Sequence, residues 1–351
     1  MTKVAFAIPG DIEQPTGGYA YDRHVLALLP DFGIDIEHLP LPRSFPRPSG
    51  MDLCTTAQAL VAPSKDTVLL IDGLAYGAFS AATIAALTHK VVALVHHPLA
   101  FETGIDADRA AVLLASETAA LAHATRIIVT SRMTSQLLQS DLAVPAAKIT
   151  VAEPGTDAAP RATGTGVGTG SPLQLLAVGS IVPRKGYAVL IEALARLGDL
   201  DWQLTIVGAT RDLTELARVE DAIAASGLGD RMTIAGAVDE AALVALYDRA
   251  DLFVMPSLFE GYGMVLTEAM ARGLPIVCTT GGAAAETVPD GAALKVPPGN
   301  ASALGAALHR ALGDALLRAS LADASWSAGQ TLPRWTDTAQ TIATVLKDVA
   351  R

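Results

Sequence analysis

Short apolar runs alternate along the chain with longer stretches whose apolar positions recur three and four residues apart. The runs fall at 3–8, 67–71, 90–95 and 126–130, with alanine-rich amphipathic segments between them, the first over 19–29. A short apolar run bounded by turn residues predicts a buried strand, and the periodic stretch after it predicts a helix. The pattern then breaks at Arg-Ala-Thr-Gly-Thr-Gly-Val-Gly-Thr-Gly-Ser-Pro, residues 161–172, which reads as a flexible linker. It restarts with strands predicted at 173–178, 202–207, 232–235, 252–255 and 275–278, and helices at 187–197 and 213–225. A last amphipathic segment spans 335–349.

Alternating strands and helices predict an α/β protein of two Rossmann-like, doubly wound parallel-sheet domains. Their expected bounds are 1–160 and 173–330, joined by the linker 161–172, with a terminal helix within 331–351 packing back on the first domain. Ligands in such sheets lie beyond the carboxyl ends of the strands. Two of them facing across a cleft would line it with strand-to-helix loops, so chemistry is sought there.

Composition narrows the functional classes. At 351 residues each half is large enough for its own core, and 51 % hydrophobic against 17 % charged residues argues against disorder. The net charge of −11 disfavours a nucleic-acid partner and any general attraction to anionic lipid. Arg43 and Arg47, in a proline-rich segment, are a local exception that would suit a peripheral membrane contact or an acidic acceptor, although a solvated loop is the simpler reading. No apolar run reaches membrane-spanning length, and 3–8 is too short for a signal peptide, which points to the cytoplasm. Cys54 and Cys278 form no ligand pair and read as two buried thiols.

The most informative loop follows the strand at 252–255. It runs Pro256-Ser-Leu-Phe-Glu260-Gly-Tyr-Gly-Met-Val-Leu-Thr-Glu268-Ala-Met-Ala-Arg-Gly-Leu-Pro275. Two glycines lead into a helix start, where backbone N–H groups and the positive end of the helix dipole suit a diphosphate. Glu260 and Glu268 flank the turn and can accept from sugar hydroxyls. With Glu-x-x-Gly-x-x-x-x-Glu-Ala-Met-Ala-x-Gly-x-Pro standing in full from Glu260 to Pro275, the segment resembles the signature of family 4 glycosyltransferases, retaining enzymes of the GT-B fold. The likeness extends through Val178-Gly-Ser-Ile-Val-Pro-Arg184-Lys185-Gly186, Leu246-Tyr-x-x-Ala-Asp-Leu-Phe-Val-Met-Pro-Ser257 and Gly281-Gly-x-x-x-Glu286. In the first half it is thinner, covering Gly17-Gly18 and the strand ending in His96.

The resemblance implies a role for each matching position. Arg184 and Lys185 would neutralise the donor diphosphate, Glu260 would contact the donor sugar, and Glu268 would hold the ribose. Backbone groups of Gly261, Tyr262, Gly263, Met264 and Val265 would cap the phosphates, and Gly236 to Val238 would hold the nucleobase. His96 fits the histidine that touches the donor sugar; of the adjacent His96 and His97, alternation along a strand lets only one serve the site. Gly17, Gly18 and Tyr19 would lie between diphosphate and acceptor, and Tyr19-Ala-Tyr21-Asp22-Arg23 departs from the usual aliphatic context, so these side chains could line the acceptor's pocket.

The donor would be a UDP- or GDP-sugar, the group moved a hexosyl unit, and the acceptor a sugar, a lipid-linked compound or a small molecule. Closure of the two halves about 161–172 would exclude water. No cofactor or metal is expected, since cations and a helix terminus already face the diphosphate. The Asp199-Leu-Asp201 pattern precedes a strand, at the end remote from the site, and reads as solvated. A GT-B sugar phosphorylase, a nucleotide-sugar epimerase and a non-catalytic nucleotide-sugar binding module are the alternatives.

Overall fold

The computed structural model describes residues 1–166 and 170–351. The chain divides into two compact units, Met1–Gly155 with Pro333–Arg351, and Thr156–Leu332. The first is built on β1 (Thr2–Pro9), β2 (Ile34–Leu41), β3 (Val68–Asp72), β4 (Val91–Val95), β5 (Arg126–Val129) and β6 (Ile149–Val151). These pair in the order β2-β1-β3-β4-β5-β6, all parallel. The second unit holds β7 (Leu173–Val178), β8 (Trp202–Val207), β9 (Met232–Gly236), β10 (Leu252–Met255), β11 (Ile276–Thr279) and β12 (Ala293–Val296). Their order is β12-β11-β10-β7-β8-β9, again all parallel. This is the α/β, doubly wound architecture that the hydrophobic pattern predicts.

Central strands are apolar from end to end because helices cover both faces of a parallel sheet. Every residue of β3 and β4 is buried, as is every residue of β10 and β11. Three strands lie outside the predictions, β2, β6 and β12, and all three are sheet edges. In β2 only Ile34 and Leu41 are buried, while Asp35, Glu37 and Pro40 face solvent. Such a strand offers no continuous apolar run, and its proline is tolerated only because one side needs no partner.

The helix Trp335–Ala350 belongs to the first unit, where it packs on the helix Gly17–Leu28 and on β1. Trp335, Ala339, Ile342, Leu346 and Val349 form its buried face. The Trp335 ring stacks on His24 at 3.9 Å and 8°. Each large apolar side chain buried here contributes about 1.5–3 kcal/mol.

Two expectations need correction. The stretch 161–172 does not run free over its described part, since Thr163 N donates to Asp248 Oδ1 at 3.1 Å and Thr165 N to Asp251 Oδ1 at 2.9 Å. Arg161 pairs with Asp323 at 2.5 Å, so residues 161–166 are fastened to the second unit and the boundary falls at Gly155/Thr156. Residues 167–169 of that expected linker lie outside the described residues. Cys278 is buried in β11, but Cys54 is exposed. It sits on the helix Gly50–Val61, whose inward face is marked by Thr56 and Leu60, and two residues from Thr56 is the opposite side.

Candidate active site

Both sheets reverse winding direction at one point, between β1 and β3 and between β7 and β10. Loops that leave neighbouring strands there diverge, and the gap at the carboxyl ends is where a ligand fits. In the second unit the loops after β7 and β10 supply Arg184, Lys185 and Glu260. Lys185 Nζ lies 2.7 Å from Glu260 Oε1, and Arg184 Nη1 lies 3.2 Å from Glu260 Oε2. Arg184 also donates to the carbonyl of Phe259 at 2.7 Å, and Leu258 N donates back to the carbonyl of Arg184 at 2.7 Å. The backbone lets the loops close this tightly at Gly186, where φ is 67° and a Cβ would stand 2.4 Å from the Pro256 carbonyl oxygen.

Glu260 is almost fully buried. Burial alone would raise its pKa, but Lys185 first and Arg184 second outweigh it and hold the carboxyl at about 2. One carboxylate against two cations leaves a surplus positive charge. Beside it starts the helix Met264–Ala271, with Gly263 at its N-cap (φ 92°) and no side chain capping it. A cationic pair next to an uncapped helix start is suited to an anion.

One turn along that helix, Glu268 accepts from the Tyr247 hydroxyl at 2.8 Å. Arg272 lies over the Tyr247 ring at 4.5 Å and donates to the Glu268 carbonyl at 3.0 Å. The Glu268 pKa is raised, by burial first and by the nearby Asp157, against the pull of Tyr247 and Arg272. Gly236 ends the edge strand β9 with φ 68°, and its carbonyl accepts from Gly208 N at 2.8 Å. Val238 packs its side chain on the second unit's core. Asp199 and Asp201 are exposed ahead of the amino end of β8, remote from these loops.

The first unit gathers a different group. His96, just past β4, has Nε2 3.1 Å from Asp22 Oδ1 and 3.6 Å from Asp72 Oδ2. Asp22 lies on the helix after β1, Asp72 ends β3, and both are buried. Gly18 lies over the imidazole, so that a Cβ there would stand 3.6 Å from His96 Cδ2. The Tyr21 ring meets His96 edge-on at 5.1 Å and its hydroxyl donates to the Ala152 carbonyl at 2.9 Å. Burial disfavours a charged imidazole, but Asp22 and then Asp72 prevail and raise the His96 pKa. Burial, and then the Asp22 charge, push Asp72 up to about 7. The three donor atoms lie within 4.8 Å of one another, the spacing of a metal site as well as of a hydrogen-bonded cluster.

Tyr19, expected to face the acceptor, instead turns inward. Its ring is buried and its hydroxyl donates to the Pro9 carbonyl at 2.7 Å, which ties the first turn of the helix Gly17–Leu28 to the end of β1. Asp72 was not among the expected site residues; its signal is an acid, Asp72-Gly73, closing a wholly apolar run. Tyr247 and Arg272 were also missed.

A family model described as glycosyl transferases group 1 matches residues 169–326, and one described as a glycosyl transferase 4-like domain matches residues 13–155. The chain belongs to the family 4 glycosyltransferases. A D-inositol 3-phosphate glycosyltransferase of an Arthrobacter species is 36 % identical over 155 residues, covering 43 % of this chain and 36 % of the relative. An MMP alpha-(1->4)-mannosyltransferase of Mycolicibacterium hassiacum is 33 % identical over 183 residues, covering 51 % and 44 %. The chain thus matches less than half the length of these curated relatives. Among solved structures, sucrose-phosphate synthase of Thermosynechococcus elongatus superimposes with a TM-score of 0.83 over 99 % of both chains at 22 % identity. The fold of this family 4 member is GT-B. Among its described residues no helix is long and apolar enough to cross a membrane.

Proposed function

We infer that this chain is a metal-independent, retaining glycosyltransferase that moves a hexosyl group from a UDP- or GDP-sugar to a sugar, lipid-linked or small-molecule acceptor. One observation carries the reading: two cations share a single buried carboxylate at 2.7 and 3.2 Å, beside an uncapped helix start. A diphosphate completes that charge balance. Arg184 and Lys185 meet its oxygens, the backbone of 261–265 caps it, Glu260 accepts from the sugar's hydroxyls and Glu268 from the ribose. The first unit contributes His96 toward the sugar and the Gly17-Gly18 helix start toward the acceptor.

As the bond from the anomeric carbon to the diphosphate breaks, negative charge collects on the leaving oxygen. Fixed cations stabilise it more there than in the ground state, which lowers the barrier. The acceptor oxygen bonds to the anomeric carbon on the same face, and its proton passes to the departing diphosphate. No cofactor is needed, and the cations do the work a divalent ion does elsewhere.

A thermal-shift panel of nucleoside diphosphates and their sugars, with and without EDTA, tests this. A true donor raises stability by about 2.7 kcal/mol at a hundredfold excess over Kd, and EDTA leaves that shift unchanged. Absence of binding by every member of the panel refutes the assignment. NMR of the first-formed product tests retention, and an inverted anomer overturns it.

A further inference from the structure

The carboxylates around His96 are not explained by donor binding. Asp22 is buried midway along the helix Gly17–Leu28 and Asp72 at the end of β3, and no Lys or Arg pairs with either among the described residues. Two buried acids with no guanidinium or ammonium partner are costly unless something positive lies between them. Here that is the imidazole, reached through one nitrogen only. His96 Nε2 stands 3.1 Å from Asp22 Oδ1 and 3.6 Å from Asp72 Oδ2. Nδ1 makes no hydrogen bond among the described residues, and the side chain is 23 % exposed. The carbonyl of His96 accepts from the Thr130 hydroxyl at 3.3 Å, which fixes the backbone on the other side.

We propose that Asp22 and Asp72 are positioning residues for His96: by sharing its Nε2–H they turn Nδ1 outward and decide which nitrogen meets the substrate. This rests on the reading of His96 as the residue that faces the donor sugar. Nδ1 then works as an N–H donor to a sugar hydroxyl or phosphate oxygen, because Asp22, joined by Asp72 once it has lost its proton, favours the doubly protonated ring. Among the described residues, Tyr21, edge-on at 5.1 Å, and His38 on β2, within the field of Asp22, also face the cluster. Tyr21 is buried and remains neutral, its hydroxyl committed to Ala152. Burial lowers the His38 pKa, so it adds little charge near neutral pH. His96, the Asp22 carboxylate and Asp72 (protonated below about pH 7) therefore form a cluster drawn from the first unit alone, present without a bound nucleotide.

That independence gives a test separate from activity. Long-range ¹H–¹⁵N spectra of the imidazoles are recorded on the full chain without donor, from pH 5.5 to 9, with His96 assigned by its loss in His96→Gln. The expected result is an Nε2 that stays protonated throughout and an Nδ1 that carries the titration, with its midpoint above that of an ordinary histidine. Asp22→Asn should lower that midpoint by about one pH unit, and Asp72→Asn should lower it by less. In turnover, Asp22→Asn should reduce kcat at least tenfold while donor KM changes less than twofold.

An Nδ1–H tautomer, or a midpoint that Asp22→Asn leaves in place, overturns the proposal. So does a metal-sensitive resonance, shifted by EDTA and restored by Mn²⁺ or Zn²⁺, which would make the cluster a cation site. The wild-type tautomer needs no variant, so misfolding of Asp22→Asn does not protect the idea. Failure of nucleotide binding would sink the glycosyltransferase reading yet leave the tautomer result standing.

Discussion

In the second unit one carboxylate, Glu260, is shared by two cations; in the first, one imidazole, His96, is shared by two carboxylates. Both clusters sit at the carboxyl ends of strands beside the point where a parallel sheet reverses its winding. Their charge balances are opposite. The positive surplus is the one we propose an anion fills, whereas the acids around His96 hold a proton that belongs to the protein. On the readings proposed above, the same sheet architecture yields an anion receptor in one unit and an oriented hydrogen-bond donor in the other, and the difference lies in which residue types the diverging loops carry.

The largest effect should come from depleting the cationic surplus. Lys185→Ala leaves Arg184 alone on Glu260, and by analogy with removing one oxyanion donor it should cost about 10²–10³ in kcat/KM. Steady-state kinetics checks this, and an unchanged rate would separate the cationic pair from the chemistry.

Acid titration sharpens the contrast through stability. Glu260, held at about 2 against an ordinary value of 4.5, stabilises the fold above the unfolded-state value and loses that contribution as pH falls toward 2. Glu260→Gln should therefore be less stable than wild type at pH 7, on the order of 2–3 kcal/mol. The gap should narrow steadily below pH 4.5. Denaturant melts across that range measure it.

Asp72 should respond in the opposite sense. Its pKa is raised to about 7 from 3.8, so the folded state keeps the proton that the unfolded chain has lost, and stability declines as pH rises through that window. Asp72→Asn keeps an oxygen to accept from Leu74 N and removes the repulsion with Asp22. It should raise stability at pH 8 by about 1–2 kcal/mol and have little effect near pH 4. A variant that is sturdier yet slower would mark the cluster as functional strain.

The smallest effect concerns support of Glu268, the acid we propose holds the ribose. Tyr247→Phe removes the 2.8 Å hydrogen bond to Glu268, costing about 0.5–1.5 kcal/mol. It should appear as a several-fold rise in donor KM with kcat nearly unchanged.

The second unit was far more legible than the first. Glu260, Gly263 and Glu268 lie within nine consecutive residues, so a local pattern exposes them. Asp22, Asp72 and His96 come from three separate elements, and only the adjacency of β1, β3 and β4 brings them together. No spacing in the chain encodes that adjacency. Central strands were readable because burial on both faces makes them uniformly apolar; the edge strands β2, β6 and β12 were not, because water takes the place of a neighbour. The segment 161–166 misled for another reason. Its glycines and threonines signal flexibility, yet it is tied down by hydrogen bonds to Asp248 and Asp251, which hydropathy does not register.

The first unit is assembled from two separate stretches of chain, since Trp335–Ala350 seals a sheet whose strands all precede residue 152. Synthesis runs from the amino end, so the second unit, Thr156–Leu332, has every residue it needs before the first one does. On the ribosome the earlier half must wait, its β1 face and Tyr21 uncovered, until the closing helix emerges. The part made first is finished last, and a premature stop between residue 332 and the start of that helix would leave a complete second unit attached to an unsealed first one.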